Sequence, residues 1–133
     1  MTSYSIKRTL TNTTVPEVVK RVITALANEG FGVLCDIDAQ KTLREKLGKE
    51  TRPYRILGAC NPQFAHQALE AEKDIGLLLP CNVVVYEEAD GSVVVAAIRP
   101  SVAMQVTDSA ALATIAQEVE ERLERVIQGI TAD

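Results

Sequence analysis

Two apolar, β-prone stretches joined by a four-residue turn constrain the fold of this chain most strongly. Residues 77–87 and 92–99 both have the composition of strands, and Glu88-Ala89-Asp90-Gly91 between them carries the Asp-Gly signature of a hairpin. Strands joined by so short a turn must run antiparallel. The hairpin therefore excludes a purely parallel, doubly wound sheet and favours an α+β fold.

A first helix is predicted by its caps and by its apolar spacing. Residues 14–17 (TVPE) match a capping box, in which the threonine oxygen accepts an otherwise unpaired amide and the glutamate reaches back. Gly30 supplies a left-handed stop. One apolar stripe with helical spacing lies between these two ends, formed by Val15, Val18, Val19, Val22, Ile23 and Leu26.

The remaining elements follow from alternation, capping residues and turn signals. Further strands are predicted at residues 4–10, 31–37 and 54–60, and further helices at residues 39–47, 62–72 and 109–129. A crossing segment at residues 101–108 precedes the last helix. The resulting order is β-α-β-α-β-α-β-β-α. We expect one domain over residues 1–133, long enough to bury roughly two thirds of its unfolded surface.

The composition argues against several classes of function. Fourteen Lys and Arg residues against 18 Asp and Glu give a net charge of −4 without a basic stripe, which disfavours binding to nucleic acid. No apolar run approaches the roughly 20 residues that span a bilayer, and no signal peptide is apparent. We therefore expect a cytoplasmic protein, in which three cysteines do not form a disulfide framework.

Two blocks of the chain resemble the family of the domain of unknown function 302. They are YRILGACNP at residues 54–62 and GLLLPCNV at residues 76–83, and the resemblance extends over nearly the whole chain. It implies a TATA-binding-protein-like arrangement, with an antiparallel sheet of about five strands and helices packed on one face, often as a homodimer. It implies no mechanism, although the settings of some members hint at redox or sulfur metabolism.

The dipeptide Cys-Asn occurs twice and provides the candidate ligand-binding or redox residues, Cys60, Asn61, Cys81 and Asn82. If the third and fourth strands are antiparallel, as the resemblance implies, both thiols lie at the same edge of the sheet. A parallel crossover would place them at opposite ends. Asn61 is explained as a helix cap before Pro62, whereas Asn82 has no local explanation. Because side chains alternate, Cys81 and Asn82 can both be covered only if something packs on each face, as a homodimer would provide.

Three interpretations of Cys60 and Cys81 remain open at this stage. They are packing or pocket-lining residues, because free cysteine is among the most buried residue types. Alternatively, they are reactive thiols of a redox sensor or persulfide carrier. A metal site is the third interpretation, but the spacing does not match zinc and only one histidine is available. Cys35, in the middle of an apolar strand, is predicted to belong to the core.

The chain offers little for catalysis. His66 is predicted on the polar face of its helix, paired with Glu70, so no histidine is left to activate a nucleophile. Arg99 is predicted as a surface cation at a strand end rather than as an anion site. The predicted function is a non-enzymatic module without cofactor or metal that binds a small ligand or partner protein as a homodimer. The alternative is a thiol-based redox or sulfur-carrier protein using Cys60 or Cys81.

Overall fold

The computed structural model describes residues 3–132 and has an α+β fold, as predicted. Two 3-10 turns, Lys73–Leu78 and Met104–Thr107, interrupt the regular elements. The strands and helices are β1 (Ser5–Leu10), α1 (Val15–Asn28), β2 (Gly32–Asp38), α2 (Ala39–Leu47), β3 (Tyr54–Cys60), α3 (Pro62–Ala71), β4 (Cys81–Glu87), β5 (Val93–Ile98), α4 (Pro100–Ala103) and α5 (Ala110–Gly129). Within these residues, no helix is both long enough and apolar enough to cross a membrane.

The five strands form one open, antiparallel sheet in the order β1-β5-β4-β3-β2. The predicted hairpin joins β4 to β5. At its turn, Gly91 has a φ of +87°, and the Ser92 amide and hydroxyl both donate to Asp90 Oδ1 at 2.9 and 2.7 Å. These bonds hold the pKa of the Asp90 carboxyl below its ordinary value. The hairpin thus fixes the register of the two central strands.

Helices α1 and α5 pack on one face of the sheet and form the larger core with it. Thr14 caps α1, accepting the Glu17 amide at 3.4 Å, and the predicted stripe faces inward except for Ile23, which is 39% exposed. Along β3, β4 and β5, the side chains of this face that belong to the core are all apolar. They are Leu57, Ala59, Cys81, Val83, Val85, Val93, Val95 and Ala97.

A second, smaller buried cluster lies outside this core. It consists of Ala68, Ile75, Met104, Leu112 and Ala116, which come from α3, the two 3-10 turns and the first half of α5. The second half of α5 belongs to the larger core instead, through residues such as Leu123 and Ile127. Helix α5 therefore contributes to both clusters.

Ion pairs connect α5 to the end of β5 and to the residue that follows α1. Arg99 Nη1, at the end of β5, donates to Glu120 at 3.0 Å and to Glu124 at 2.9 Å. Arg125 pairs with Glu29 at 2.9 Å and holds the pKa of that carboxyl below its ordinary value. Because both Arg99 and Arg125 already have carboxylate partners, they join elements of the fold rather than offering free anion sites.

The opposite face of the sheet carries no packed helix from α1 or α5, and we call it the open face. Helix α2 lies beside β3 but buries none of its residues. The rings of Tyr54 and Tyr86 stack on the open face, with centroids 5.2 Å apart and planes 8° apart. The register places the following side chains there as well: Ser5, Lys7, Thr9, Cys35, Ile37, Ile56, Asn82, Val84, Val94, Ala96 and Ile98.

Three details differ from the sequence prediction. The fourth strand begins at Cys81 rather than at residue 77. One reason is that residues 73–78 form a 3-10 turn, in which Ile75 is buried. The other is that Pro80 has no amide hydrogen to donate to a neighbouring strand. Residues 101–108 are mostly helical rather than a crossing segment. Cys35 is exposed and not part of the core, because an irregularity between Val33 and Cys35 shifts the register and turns Cys35 to the open face.

Candidate functional site

An apolar pocket of about 270 Å³ lies between the two buried clusters, and we call it the α3–α5 pocket. Phe31, Ala59, Cys81 and Val119 of the larger core form one side, and Ala68, Met104, Leu112 and Ala116 of the smaller cluster form the other. Leu34 and Leu69, which are 67% and 44% exposed, mark its mouth. The remaining lining residues are Cys60, Asn61, Phe64, Ala65, Gly76, Leu79, Pro80, Pro100 and Ile115.

The lining of this pocket consists almost entirely of carbon and sulfur. None of the lining side chains carries a charge, and Asn61 alone among them bears a nitrogen or oxygen atom. The pocket opens to solvent at its mouth and is not sealed within the core. Its volume is nearly twice that of the engineered apolar cavity of about 150 Å³ that takes up benzene. The pocket is therefore suited to a small apolar molecule.

The third and fourth strands are antiparallel, and this brings the two cysteines to the same edge of the sheet. Ala59 pairs with Cys81, so Cys60 is one position from direct register with it. Cys60 is half-buried and Cys81 is buried, and neither forms a disulfide. Burial, with a smaller contribution from the nearby Cys60, raises the pKa of the Cys81 thiol to about 11. The Cys81 thiol is therefore protonated at neutral pH and is a poor nucleophile.

Asn61 stands where β3 ends and α3 begins. Its Oδ1 accepts the backbone amide of Phe64 at 3.4 Å, which is the predicted N-cap bond, and Pro62 opens the helix. Gly30, with a φ of +86°, allows the Asn61 amide to approach closely, because a Cβ at Gly30 would lie 3.0 Å from Asn61 Nδ2. The local backbone on both sides thus positions this carboxamide at the pocket wall.

Asn82 lies apart from the α3–α5 pocket. It is exposed on the open face, where it lines a more polar depression of about 260 Å³ together with Tyr4, Lys7, Tyr54 and Tyr86. Cys60, Asn61 and Cys81 line the α3–α5 pocket and Asn82 does not. The repeated dipeptide therefore does not form one four-residue site.

The remaining polar candidates have structural roles. His66 Nε2 lies 3.1 Å from Glu70 Oε1 on the exposed face of α3, as predicted from their spacing. Within residues 3–132, no three His, Cys, Asp or Glu side chains come together as metal ligands would.

Sequence reasoning missed most of the pocket wall. Leu112, Ile115, Ala116 and Val119 belong to the helix predicted at residues 109–129 and have helical spacing, but apolar residues with this spacing normally indicate core packing. Met104 lies in a 3-10 turn within residues 101–108, for which the sequence predicts only a crossing segment. No local signal marks these residues, because the pocket depends on how far α3 stands from α5.

Comparisons with known proteins agree with this fold. The family model of the domain of unknown function DUF302 matches residues 6–130. A crystal structure of an uncharacterized conserved DUF302 protein from Bacillus stearothermophilus is 31% identical, covering 96% of this chain and 98% of that chain with a TM-score of 0.88. Among curated proteins, none matches this chain. The family match over residues 6–130, together with the shared fold, shows that this chain belongs to the DUF302 family.

Proposed function

We propose that this protein is a non-enzymatic module that binds a small apolar molecule in the α3–α5 pocket and acts as a homodimer. The observation that carries the ligand proposal is the pocket itself, an apolar space of about 270 Å³ kept between two buried clusters. Apolar surface that faces water lacks the stabilisation that burial would give it, so a pocket with an apolar lining favours an apolar occupant. The exposed leucines at the mouth also favour an apolar occupant.

A binding role has more support than a catalytic one. The pocket lining holds neither a charged group nor a histidine, so it lacks the acid, base or electrophile that most reactions need. The Cys81 thiol has its pKa raised to about 11 by burial, which removes it as a nucleophile. The pocket therefore offers shape and apolar contact rather than chemical assistance.

The ligand proposal is tested by filling the pocket from one helix. Naphthalene, a rigid apolar probe small enough for the pocket, is titrated into ¹⁵N-labelled protein and followed by NMR. Ala116→Phe places a ring in the pocket wall and is expected to weaken binding at least tenfold. Ala113→Phe, on the exposed side of the same helix, is the matched control and should bind like the unmodified protein.

Two outcomes of this titration would contradict the ligand proposal. One is the absence of saturable shifts among the pocket residues of the unmodified protein. The other is equal binding by the Ala116→Phe and Ala113→Phe variants. If Ala116→Phe does not fold, Ala65→Phe tests the same volume from α3, where the half-buried Ala65 also lines the pocket.

The homodimer proposal assigns a second copy of this chain to the open face. Lys7, on the edge strand, is the one charged side chain among the described sheet residues that point to this face, and depletion of charge is typical of interface cores. With strands about 4.8 Å apart and a rise of about 3.3 Å per residue, the face measures roughly 24 by 20 Å. The resulting area of roughly 480 Å² is a little over half of the roughly 800 Å² that each partner buries in a standard interface.

Light scattering at micromolar concentration tests the homodimer. We expect a mass near twice 14.4 kDa for the unmodified protein, and the monomer mass for Val84→Lys, which places a charge at the centre of the open face. Lys20→Glu on the exposed surface of α1 is a control for charge alone. A monomer of 14.4 kDa for the unmodified protein would contradict the homodimer and leave the ligand proposal intact.

The alternative function, a thiol-based redox or sulfur-carrier protein, has support only from the position of Cys60 beside the pocket, half-buried at the edge of the sheet. Iodoacetamide labelling at pH 7, followed by mass spectrometry of the peptides, tests it. In the monomeric Val84→Lys variant, whose open face is not covered by a second copy, we expect Cys35 to be labelled first because it is exposed, and Cys81 last because it is buried and protonated. Labelling of Cys60 faster than Cys35 would favour the alternative function.

A further inference from the structure

The Asn61 carboxamide is the single polar side chain with a free donor in the α3–α5 pocket. Its Oδ1 is occupied by the Phe64 amide at 3.4 Å. Because only the oxygen can accept from an N–H group, this bond also fixes the orientation of the carboxamide. Both hydrogens of Nδ2 remain, and among the hydrogen bonds of residues 3–132 none has Nδ2 as its donor. The pocket therefore presents a donor without a protein acceptor.

A second donor group stands behind Asn61 at the same end of the pocket. Asn61 Nδ2 and Arg122 Nη1 lie 3.0 and 3.5 Å from the point where a Cβ of Gly30 would be. The Arg122 guanidinium lies over the Phe64 ring, 5.2 Å from its centroid, and Phe64 is itself part of the lining. This end of the pocket is therefore polarised positively.

Arg122 itself does not line the pocket, and its buried Nε makes no hydrogen bond within residues 3–132. Nη1 donates to the backbone oxygen of Glu29 at 3.0 Å, and a carboxylate oxygen of Glu118 lies 3.6 Å from Nε. An ionised ligand group at Asn61 would lose its hydration and gain only the hydrogens of one carboxamide. Burying a charge is costly unless it is fully paired, whereas a neutral acceptor needs a single hydrogen bond.

From this arrangement we infer that the ligand is an apolar molecule carrying one uncharged hydrogen-bond acceptor, such as a carbonyl oxygen, which accepts from Asn61 Nδ2. This inference rests on the proposed function, because it assigns the chemistry of the molecule that enters the α3–α5 pocket. The apolar body contacts the carbon and sulfur atoms of the lining, and the acceptor sets the orientation of the ligand. Asn61 is thus both the cap of α3 and the residue that selects the ligand.

Three probes of similar shape separate these contributions: naphthalene, 2-acetylnaphthalene and ionised 2-naphthoate. The first is purely apolar, the second adds a neutral carbonyl and the third adds a charge. Each is titrated by NMR into the unmodified protein at pH 7. We expect 2-acetylnaphthalene to bind about fivefold more tightly than naphthalene, the effect of one net hydrogen bond. We expect 2-naphthoate to bind more weakly than either.

The substitution Asn61→Asp tests the role of the donor while keeping the cap, because aspartate caps helices as well as asparagine. It replaces the Nδ2 donor by an acceptor, so within this variant the affinities for 2-acetylnaphthalene and naphthalene should no longer differ in favour of 2-acetylnaphthalene. The other Cys-Asn pair provides the matched control. Asn82→Asp makes the same chemical change on the open face and should leave all three affinities unchanged.

The outcomes distinguish this inference from the proposed function. Equal affinities of the unmodified protein for naphthalene and 2-acetylnaphthalene would overturn the inference and leave the proposed function standing. Tightest binding of 2-naphthoate would overturn the assignment of an uncharged acceptor. Failure of all three probes to bind would overturn the proposed function itself.

A second measurement does not depend on the folding of Asn61→Asp. The side-chain amide signals of Asn61 in the unmodified protein should move downfield with 2-acetylnaphthalene and much less with naphthalene. Side-chain signals that respond equally to the two probes would contradict the hydrogen bond.

Discussion

The two faces of the sheet are formed by the same strands but have different surroundings. Cys81 and Asn82 are consecutive, but Cys81 belongs to the larger core and lines the α3–α5 pocket, whereas Asn82 is exposed among the tyrosines of the open face. The helix side combines a dense core with one apolar pocket, and the open face has a more polar depression lined by stacked rings, a lysine and an amide. A dipeptide that is repeated on antiparallel strands therefore need not form one site. Side chains alternate along a strand, so two consecutive residues such as Cys81 and Asn82 point to opposite faces of the sheet.

The largest difference between the faces should appear when a charge is placed on adjacent residues of β4. Val83 is fully buried in the larger core and Val84 is half-buried on the open face. Val83→Asp buries an unpaired carboxylate and is expected to lower the free energy of unfolding by about 4 kcal/mol or more. Val84→Asp should cost much less. Urea denaturation followed by circular dichroism measures both, and similar losses for the two variants would mean that the open face is covered like a core.

A second comparison uses pH and the two cysteines on opposite faces. Burial raises the pKa of Cys81 from 9.0 to about 11, so between these values the unfolded chain releases a proton that the folded chain keeps. The protonated Cys81 thiol therefore contributes fully to the free energy of unfolding below about pH 9. This contribution is lost as the pH rises towards 11, and the loss is at most about 3 kcal/mol.

Urea denaturation at pH 8 and pH 10.5 tests this dependence on Cys81. Cys81→Ala should reduce the loss of stability between the two pH values, because the buried thiol is gone. Cys35→Ala, which removes an exposed thiol from the open face, should leave that loss unchanged. The prediction fails if Cys81→Ala loses as much stability as the unmodified protein.

A smaller effect is expected where the open face is tightly packed. A Cβ at Gly58 would lie 2.7 Å from Cys35 Sγ and 2.8 Å from Pro80 Cγ, and the proline ring cannot move away easily. Gly58→Ala should therefore cost about 1–3 kcal/mol by overpacking. Gly32→Ala is the control in the neighbouring strand, because nothing lies within 4 Å of a Cβ there. Equal stability of the two variants, measured by thermal denaturation, would show that the open face yields more readily than the structure indicates.

The smallest effect concerns the stacked rings of the open face. Tyr54 and Tyr86 pair directly across β3 and β4, and such stacking contributes about 0.5–1.5 kcal/mol beyond burial. A double-mutant cycle with Tyr54→Leu and Tyr86→Leu should give a coupling energy of about this size. Because the pair lies at the proposed dimer interface, the cycle is measured both on the unmodified protein and on the Val84→Lys background. A coupling energy of zero on both backgrounds would rule out a contribution of the stack to stability.

Much of the fold was predictable because its signals are local. Capping residues and apolar spacing predicted α1 and α5, and the Asp-Gly turn predicted the hairpin that makes β4 and β5 antiparallel. These features depend on neighbours within one or two turns of the chain. The antiparallel pairing of β3 with β4 was expected only from the family resemblance, since the residues between them would allow either direction.

The predictions that were wrong, and the pocket residues that were missed, depend on contacts between residues distant in sequence. One extra residue in β2 is enough to turn Cys35 to the open face, and no turn residue marks that position. Ile75 is buried by contacts with helices that are distant in sequence. Residues 77 and 78, which were predicted as the start of the fourth strand, therefore belong to a 3-10 turn instead. Three of the four candidate residues line the pocket, but its other wall comes from the last helix and could not be assigned from spacing alone.

The division of α5 between two clusters has a dynamic consequence. Its C-terminal half is anchored in the larger core, whereas its N-terminal half rests on the small cluster of five buried residues beside the pocket. Regions with few buried contacts open at lower free energy than the molecule as a whole. Amide hydrogens in the first turns of α5 and in α3 should therefore exchange faster than those near Leu123. An occupant of the pocket would slow this exchange in the outer layer while leaving the central strands unchanged.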